Sequence, residues 1–189
     1  MRAQHSCFGF DGPQADGLFF CLFPDPDTAD RLASYAAQLG IRHRLSARPL
    51  APERLHVSLL GFGPFPGLPP ALVASVVEAA AAIVARPFEV TFDRAMSFLG
   101  APRPLVLCGA GVGELMAFRG LLGGAIEKRG LGRLRPGYMP HITLLYDTCG
   151  IEEHAIEPIR WTVREFVLVH SLLGQGRHIP LGRWRLEGG

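Results

Sequence analysis

Several function classes are excluded by what the 189-residue sequence lacks. No apolar run approaches the roughly 18 residues needed to cross a bilayer, so no membrane partner is expected. The N-terminal stretch carries Asp11 and Asp16 and has no apolar core, so no secretory signal is expected either. The four cysteines, Cys7, Cys21, Cys108 and Cys149, form no C-x-x-C pair, which argues against a zinc ribbon. Nothing in their spacing demands disulfides, so a reducing cytoplasm is the expected compartment. Cys21 and Cys108, set in apolar runs, read as small buried hydrophobes. Carboxylate clusters of the kind a two-metal phosphatase needs are missing, and no metal or other cofactor is expected. Lysine is nearly absent, Lys128 being the only one, and the formal net charge of +2 is too small to announce nucleic acid by itself. A local arginine cluster would matter more than that total.

What is present is enough apolar sequence for a packed core, in one domain or two small fused lobes. Residues 1–16 mix Gly, Pro, Gln and Asp and read as a flexible leader, with a single bilobal domain over 17–189. GLFFCLF (17–23) reads as a buried strand. Residues 24–40 read as a helix, capped by Asp25, opened by Pro26 and stopped by Gly40, with Leu32, Tyr35, Ala36 and Leu39 on one stripe. Then follow a strand over 54–63, a helix over 70–86 ended by Pro87, and a hairpin of strands 88–100 and 104–110 turned at Ala101–Pro102. A helix over 113–130 and strands over 137–147, 161–174 and 178–187 complete the order. Strands outnumber helices and hairpins sit beside crossovers, which favours an α+β fold with mixed or antiparallel sheets. A strand–helix–strand unit occurs at 17–60 and again at 104–145, the mark of an internal duplication.

The two units end alike, in LHVSLL (55–60) and PHITLL (140–145). Side chains alternate faces along a strand, so His56 shares a face with Ser58, and His141 with Thr143, each pair about 7 Å apart. Val57, Leu59, Ile142 and Leu144 fall on the opposite, apolar face. If the two strands meet across a cleft, two imidazoles and two hydroxyls surround a small space. Imidazole titrates near neutrality, so one copy can accept a proton while its twin donates one. The hydroxyls can hold non-bridging phosphate oxygens.

These residues resemble the two-histidine (2H) phosphoesterase superfamily, whose signature is a pair of H-x-[S/T]-h motifs. The greatest likeness is to the bacterial and archaeal RNA 2′,3′-cyclic phosphodiesterases, often labelled 2′-5′ RNA ligases. The likeness extends to LFFCLFPDP, to WTVREFVLVHS (161–171), to the Gly176–Arg177 turn and to the W-x-L ending at 184–186. It implies two pseudo-symmetric α+β lobes with mostly antiparallel sheets around a V-shaped cleft. It also implies metal-independent opening of a 2′,3′-cyclic phosphate, on an RNA terminus or a nucleotide, to a 2′-phosphate, with ligation as the reverse direction. Carried over, His141 is the base, His56 the acid, and Ser58 and Thr143 bind the phosphate, in a protein expected to act as a monomer. Where the family often has arginine after the second motif, this chain has Tyr146. Where the tail often has tyrosine, it has His178.

Arg133, Arg135 and Arg177 are candidates for a missing phosphate clamp, and Phe62 and Tyr146 for substrate contact. His5, His43 and His154 read as solvated, while His170 could face the cleft. Tyr138 and Trp161 leave stacking and core packing open, and Trp184 reads as packing. Two other readings stay open: a phosphodiesterase for a small cyclic phosphate such as an ADP-ribose derivative, and a non-catalytic module that binds RNA ends or nucleotides.

Overall fold

A computed structural model describes residues 15–187. The leader expected over 1–16, with His5 and Cys7, therefore lies outside the described residues except at its end, where Asp16 already opens the first strand. The elements run β1 (Asp16–Leu22), α1 (Pro26–Arg42), a 3₁₀ turn (Pro52–Arg54), β2 (Val57–Phe65), α2 (Pro70–Ala81), β3 (Phe88–Ser97) and β4 (Arg103–Cys108). They continue with α3 (Gly113–Lys128), β5 (Ile142–Asp147), β6 (His154–Val163), β7 (Glu165–Leu172) and β8 (Arg177–Arg185). The fold is α+β, and no described helix is long and apolar enough to cross a membrane.

The strands form an eight-stranded sheet ordered β6-β3-β4-β5-β2-β1-β7-β8, with every neighbouring pair antiparallel. The order is palindromic about its centre. One half runs outward from β5 through β4, the other outward from β2 through β1, as the duplicated units require. The halves join at one backbone pair, Val57 with Ile142.

All three helices lie on one face. Leu32, Ala36 and Leu39 of α1, Val76, Ala79 and Ala80 of α2, and Leu115, Phe118, Leu122 and Ile126 of α3 are buried in one cluster with alternate strand residues such as Leu18, Phe20, Val57, Leu107 and Ile142. That burial is the main source of stability. The opposite face is open and carries its own small apolar group, Phe19, Cys21, Val167 and Val169.

Local chemistry explains most element ends. The Asp25 carboxylate accepts from the Thr28 amide at 2.9 Å and Pro26 occupies the first turn of α1. Gly40 does not stop α1, which continues to a cap at His43. The last turn expected of α2 is absent: the helix ends at Ala81 and its cap falls at Ala82, well before Pro87. The long strand expected over 161–174 is two strands. Val163 still pairs with Phe88 of β3, whereas Glu165 pairs with Arg185 of β8, so the chain changes halves at Arg164. The alternation slips by one residue at the change: Trp161 and Val163 face the helices before it, and Phe166 and Leu168 after it, with Val167 and Val169 on the open face.

Hydrogen bonds across the halves position the first motif. Asp147, 3% exposed at the end of β5, accepts from the Ser46 and Ala47 amides at 2.7 Å each and from the Cys149 amide at 2.9 Å. Leu50 donates to the Leu144 carbonyl at 2.7 Å. The segment leading to His56 is thus pinned to the strand that follows His141. These amides hold the Asp147 carboxyl well below the usual carboxylate range. Its stabilising effect is present above that ordinary range and is lost as pH falls through the lowered value. Asp147→Ala should therefore lower the thermal midpoint clearly at pH 7 and by a smaller amount at pH 2–3, as scanning calorimetry at both pH values would show.

Candidate active site

The motif residues gather on the open face beside the single pair that joins the halves. His56 and His141 immediately precede Val57 and Ile142, and Ser58 and Thr143 immediately follow them. An antiparallel pair carries a local twofold axis between its two residues. The axis through Val57 and Ile142 therefore relates the two histidines and the two hydroxyl residues, on strands about 4.8 Å apart.

Each motif also contains a β-bulge at the same place. Cys21 pairs with Ser58 and Phe20 with Leu60, leaving Leu59 as the extra residue; Val106 pairs with Thr143 and Leu105 with Leu145, leaving Leu144. An extra residue resets the alternation. Both leucines of each motif therefore face the helices, where Leu59, Leu144 and Leu145 are buried and Leu60 packs against the same cluster. The doubled leucine common to LHVSLL and PHITLL fits this local geometry.

The bulge corrects one expectation. Strict alternation puts Phe62 on the face of His56. After the bulge Phe62 pairs with Leu18 and packs at 6.4 Å from the Phe20 ring on the helix side. In the second motif the same reset leaves Tyr146 on the open face, opposite Pro104 and 41% exposed.

The two imidazoles are held in the same way. Each Nδ1 donates to the carbonyl two residues earlier: His56 to Arg54 at 2.7 Å, His141 to Met139 at 2.8 Å. A carbonyl only accepts, so the neutral tautomer of each ring carries its lone pair on Nε2. The Ser58 hydroxyl meets His56 Nε2 at 3.1 Å. Phe19 at 5.1 Å and Phe23 at 6.0 Å wall His56, and Phe98 meets His141 edge-on at 4.9 Å.

Burial pushes His56 down to about 4, against the bond to the Arg54 carbonyl, with His178, His141 and Arg54 lowering it further. Burial also lowers His141, opposed by its bond to Met139. Below Ser58, burial pushes the Cys21 thiol up, so no thiolate competes there.

The bulge backbone is gripped from the second half of the chain. Buried Arg119 of α3 donates from Nε to the Leu59 carbonyl at 2.8 Å and lies 3.9 Å above the Tyr138 ring, whose hydroxyl donates to the Ser58 carbonyl at 2.5 Å. Tyr138 thus orients the first motif. Trp161 is core, stacked on Phe92 at 5.5 Å, and Trp184 stacks on Phe166 at 5.2 Å.

Other candidates fall elsewhere. Arg177 is exposed and pairs with Leu172, so its successor His178 takes the open face, with its ring 5.2 Å from His56. Arg133 and Arg135 line a groove of about 420 Å³ with Phe62, Leu72 and Leu131, whose lining includes neither motif histidine. His170 shares the helix side with Leu18 and meets the Asp16 carboxylate at 2.7 Å. His43 and His154 are not solvated loop residues but pack ring against ring at 5.3 Å. Among the described residues no group of three or more His, Cys, Asp or Glu is placed to hold a metal ion.

Sequence reasoning missed Arg54, Arg119 and the role of His178. Spacing could have suggested only Arg54, two residues before His56. The other two reach the first motif from distant elements, across pairings that no local pattern encodes.

The architecture has counterparts among solved structures. LigT of E. coli in its apo form superposes with a TM-score of 0.72 at 26% identity, over 92% of this chain and 99% of that one. E. coli LigT complexed with 3′-AMP gives 0.71 at 24%, over 91% and 98%. The protein TT0787 of Thermus thermophilus gives 0.72 at 21%, over 91% and 98%. No curated protein matches the chain. The sequence model of the 2′-5′ RNA ligase superfamily matches residues 23–175, and with both histidine motifs inside that span the chain belongs to this superfamily of two-histidine phosphoesterases.

Proposed function

We propose that the protein is a metal-independent cyclic phosphodiesterase that opens the 2′,3′-cyclic phosphate of an RNA end or nucleotide to a 2′-phosphate. The observation that carries this reading is the twofold arrangement of His56 and His141, each with Nδ1 held by a carbonyl and each two residues from a hydroxyl. E. coli LigT, of the same fold, binds 3′-AMP.

In this reading water attacks phosphorus in line with the 3′-oxygen. Neutral His141 takes the water proton through Nε2, a P–O bond forms, the bond to the 3′-oxygen breaks, and protonated His56 delivers its proton to that oxygen. Ser58 and Thr143 donate to the non-bridging oxygens. The 3.1 Å contact between Ser58 and His56 couples two of these roles. While His56 is neutral, the Ser58 hydrogen is turned to its Nε2. Once His56 is protonated, that hydrogen is released to the phosphate.

The pH dependence follows from the buried imidazoles. Both are held below the ordinary histidine value of about 6.5 in the free protein, His56 at about 4. The form with one proton between them peaks between their two values. kcat/KM should therefore trace a bell with its maximum on the acid side of pH 6.5, its alkaline limb falling by about tenfold per unit. In the complex the phosphate anion favours imidazolium, so the kcat profile should lie at higher pH. The test is an assay of 2′,3′-cyclic nucleotides across pH with and without EDTA, with the product isomer identified by phosphorus NMR. A 2′-phosphate made equally well in EDTA supports the proposal. Loss of activity in EDTA, or a 3′-phosphate product, contradicts it.

A further inference from the structure

We propose that Arg54, His178 and the Gly176 turn form a second anion subsite beside His56, built for a phosphoryl group other than the one that reacts. The inference rests on the phosphoester reading above and narrows its substrate class to molecules that carry a second phosphate.

Three observations support it. Arg54 Nε and His178 Nδ1 are both buried and have no hydrogen-bond partner among the described residues, a state that a bound acceptor would relieve on the arginine side and that protonation plus an acceptor would relieve on the histidine side. Arg54 has no ion pair among the described residues, so its charge is not already neutralised. Its guanidinium is seated against Gly176, at φ +64°, where an added Cβ would fall 3.2 Å from Nη1 and 3.6 Å from Cζ. The β7–β8 hairpin thus leaves room for the guanidinium beside the His178 ring, which itself lies 5.3 Å from Phe19 and 5.2 Å from His56.

Position separates this subsite from the reacting centre. In the sheet β2 lies between β5 and β8, so the cluster stands on the far side of His56 from His141. The reacting phosphate belongs between the histidines, with Ser58 and Thr143. A group bound at Arg54 and His178 sits one imidazole beyond it, where burial depresses the proton affinity of both rings and the guanidinium adds to that effect. An arriving phosphate dianion would reverse that effect and favour imidazolium on His178, which then donates to it.

The test is equilibrium titration calorimetry at pH 7 on the full chain, comparing adenosine 2′-monophosphate, adenosine 2′,5′-bisphosphate, and a dinucleotide ending in a 2′-phosphate. Each of the latter two should bind about tenfold more tightly than the monophosphate, as expected for one charge-assisted contact. If only one does, the second group is assigned to a terminal monoester or an internal diester accordingly. Arg54→Gln should bring the ratio close to one, His178→Phe should reduce it, and Arg54→Lys should retain part of it. The Arg54 carbonyl that orients His56 survives every one of these substitutions.

A wild-type ratio of one for both probes overturns the inference without any variant. So does an equal loss of all three ligands in Arg54→Gln, which would place the guanidinium on the reacting phosphate. Circular dichroism melts identify a variant that fails to fold, in which case the wild-type ratio and Arg54→Lys decide. If cyclic phosphates are not hydrolysed yet the ratio and its loss are observed, the subsite stands and the catalytic reading falls.

Discussion

Alanine at either His56 or His141 is expected to lower kcat/KM for 2′,3′-cyclic phosphate hydrolysis by about 10²–10⁴-fold, the usual worth of a positioned acid or base. Both imidazoles already have one nitrogen committed to a carbonyl, so each offers the reaction a single atom, Nε2, in a fixed orientation. The double variant should lose much less than the product of the two single losses, because groups that act as a unit are not additive. His56 is also walled by Phe19 and Phe23, so its removal could act through packing. His56→Gln, which keeps most of the volume but cannot exchange protons, separates these causes. It should lose activity as alanine does while keeping its melting point. Stopped assays on cyclic nucleotides would decide, and activity within twofold of wild type in both alanine variants would end the acid–base account.

A large stability effect is expected at Arg119. Arg119→Met removes a charged donor from the Leu59 carbonyl and the cation from the Tyr138 ring, and should cost about 2 kcal/mol, as charged hydrogen bonds do, with the cation–π contact in addition. The effect should reach the active site, since Leu59 is the extra residue of the bulge and Ser58 precedes it. Tyr138→Phe removes the bond to the Ser58 carbonyl and should cost about 1 kcal/mol. The two side chains touch, so the double variant should deviate from additivity by roughly 0.5–1 kcal/mol. Urea melts of the four proteins would measure this. A loss at Arg119 no larger than that at Tyr138 would show that the bulge holds itself.

Much of this can be read in the chain because it is written at short range. The alternating strands, the Asp25–Pro26 helix start and the repeated H-x-[S/T]-L-L each depend on residues within one or two turns of one another. The duplication is visible for the same reason. What escapes is set by pairing. Strict alternation puts Phe62 on the wrong face because the doubled leucine, the local trace of the bulge, also reads as plain apolar content. It misplaces His170 because the partners that fix that ring, Leu18 and Asp16, are far away in sequence. The 161–174 stretch reads as one strand, although the adjacent polar pair Arg164–Glu165 breaks its alternation where the neighbours are exchanged. Charge alone favours Arg177 over His178, whereas the register of β8 against β7 decides which of the two faces His56.

The lone Val57–Ile142 pairing has a mechanical corollary. A seam of one ladder pair supplies little grip of its own, so the spacing of the two imidazoles is set by fastenings outside the sheet: Ser46 and Ala47 on Asp147, Leu50 on Leu144, and Arg119 and Tyr138 on the Leu59 and Ser58 carbonyls. Loosening any of these straps would shift the two proton-transfer groups relative to one another without breaking a strand.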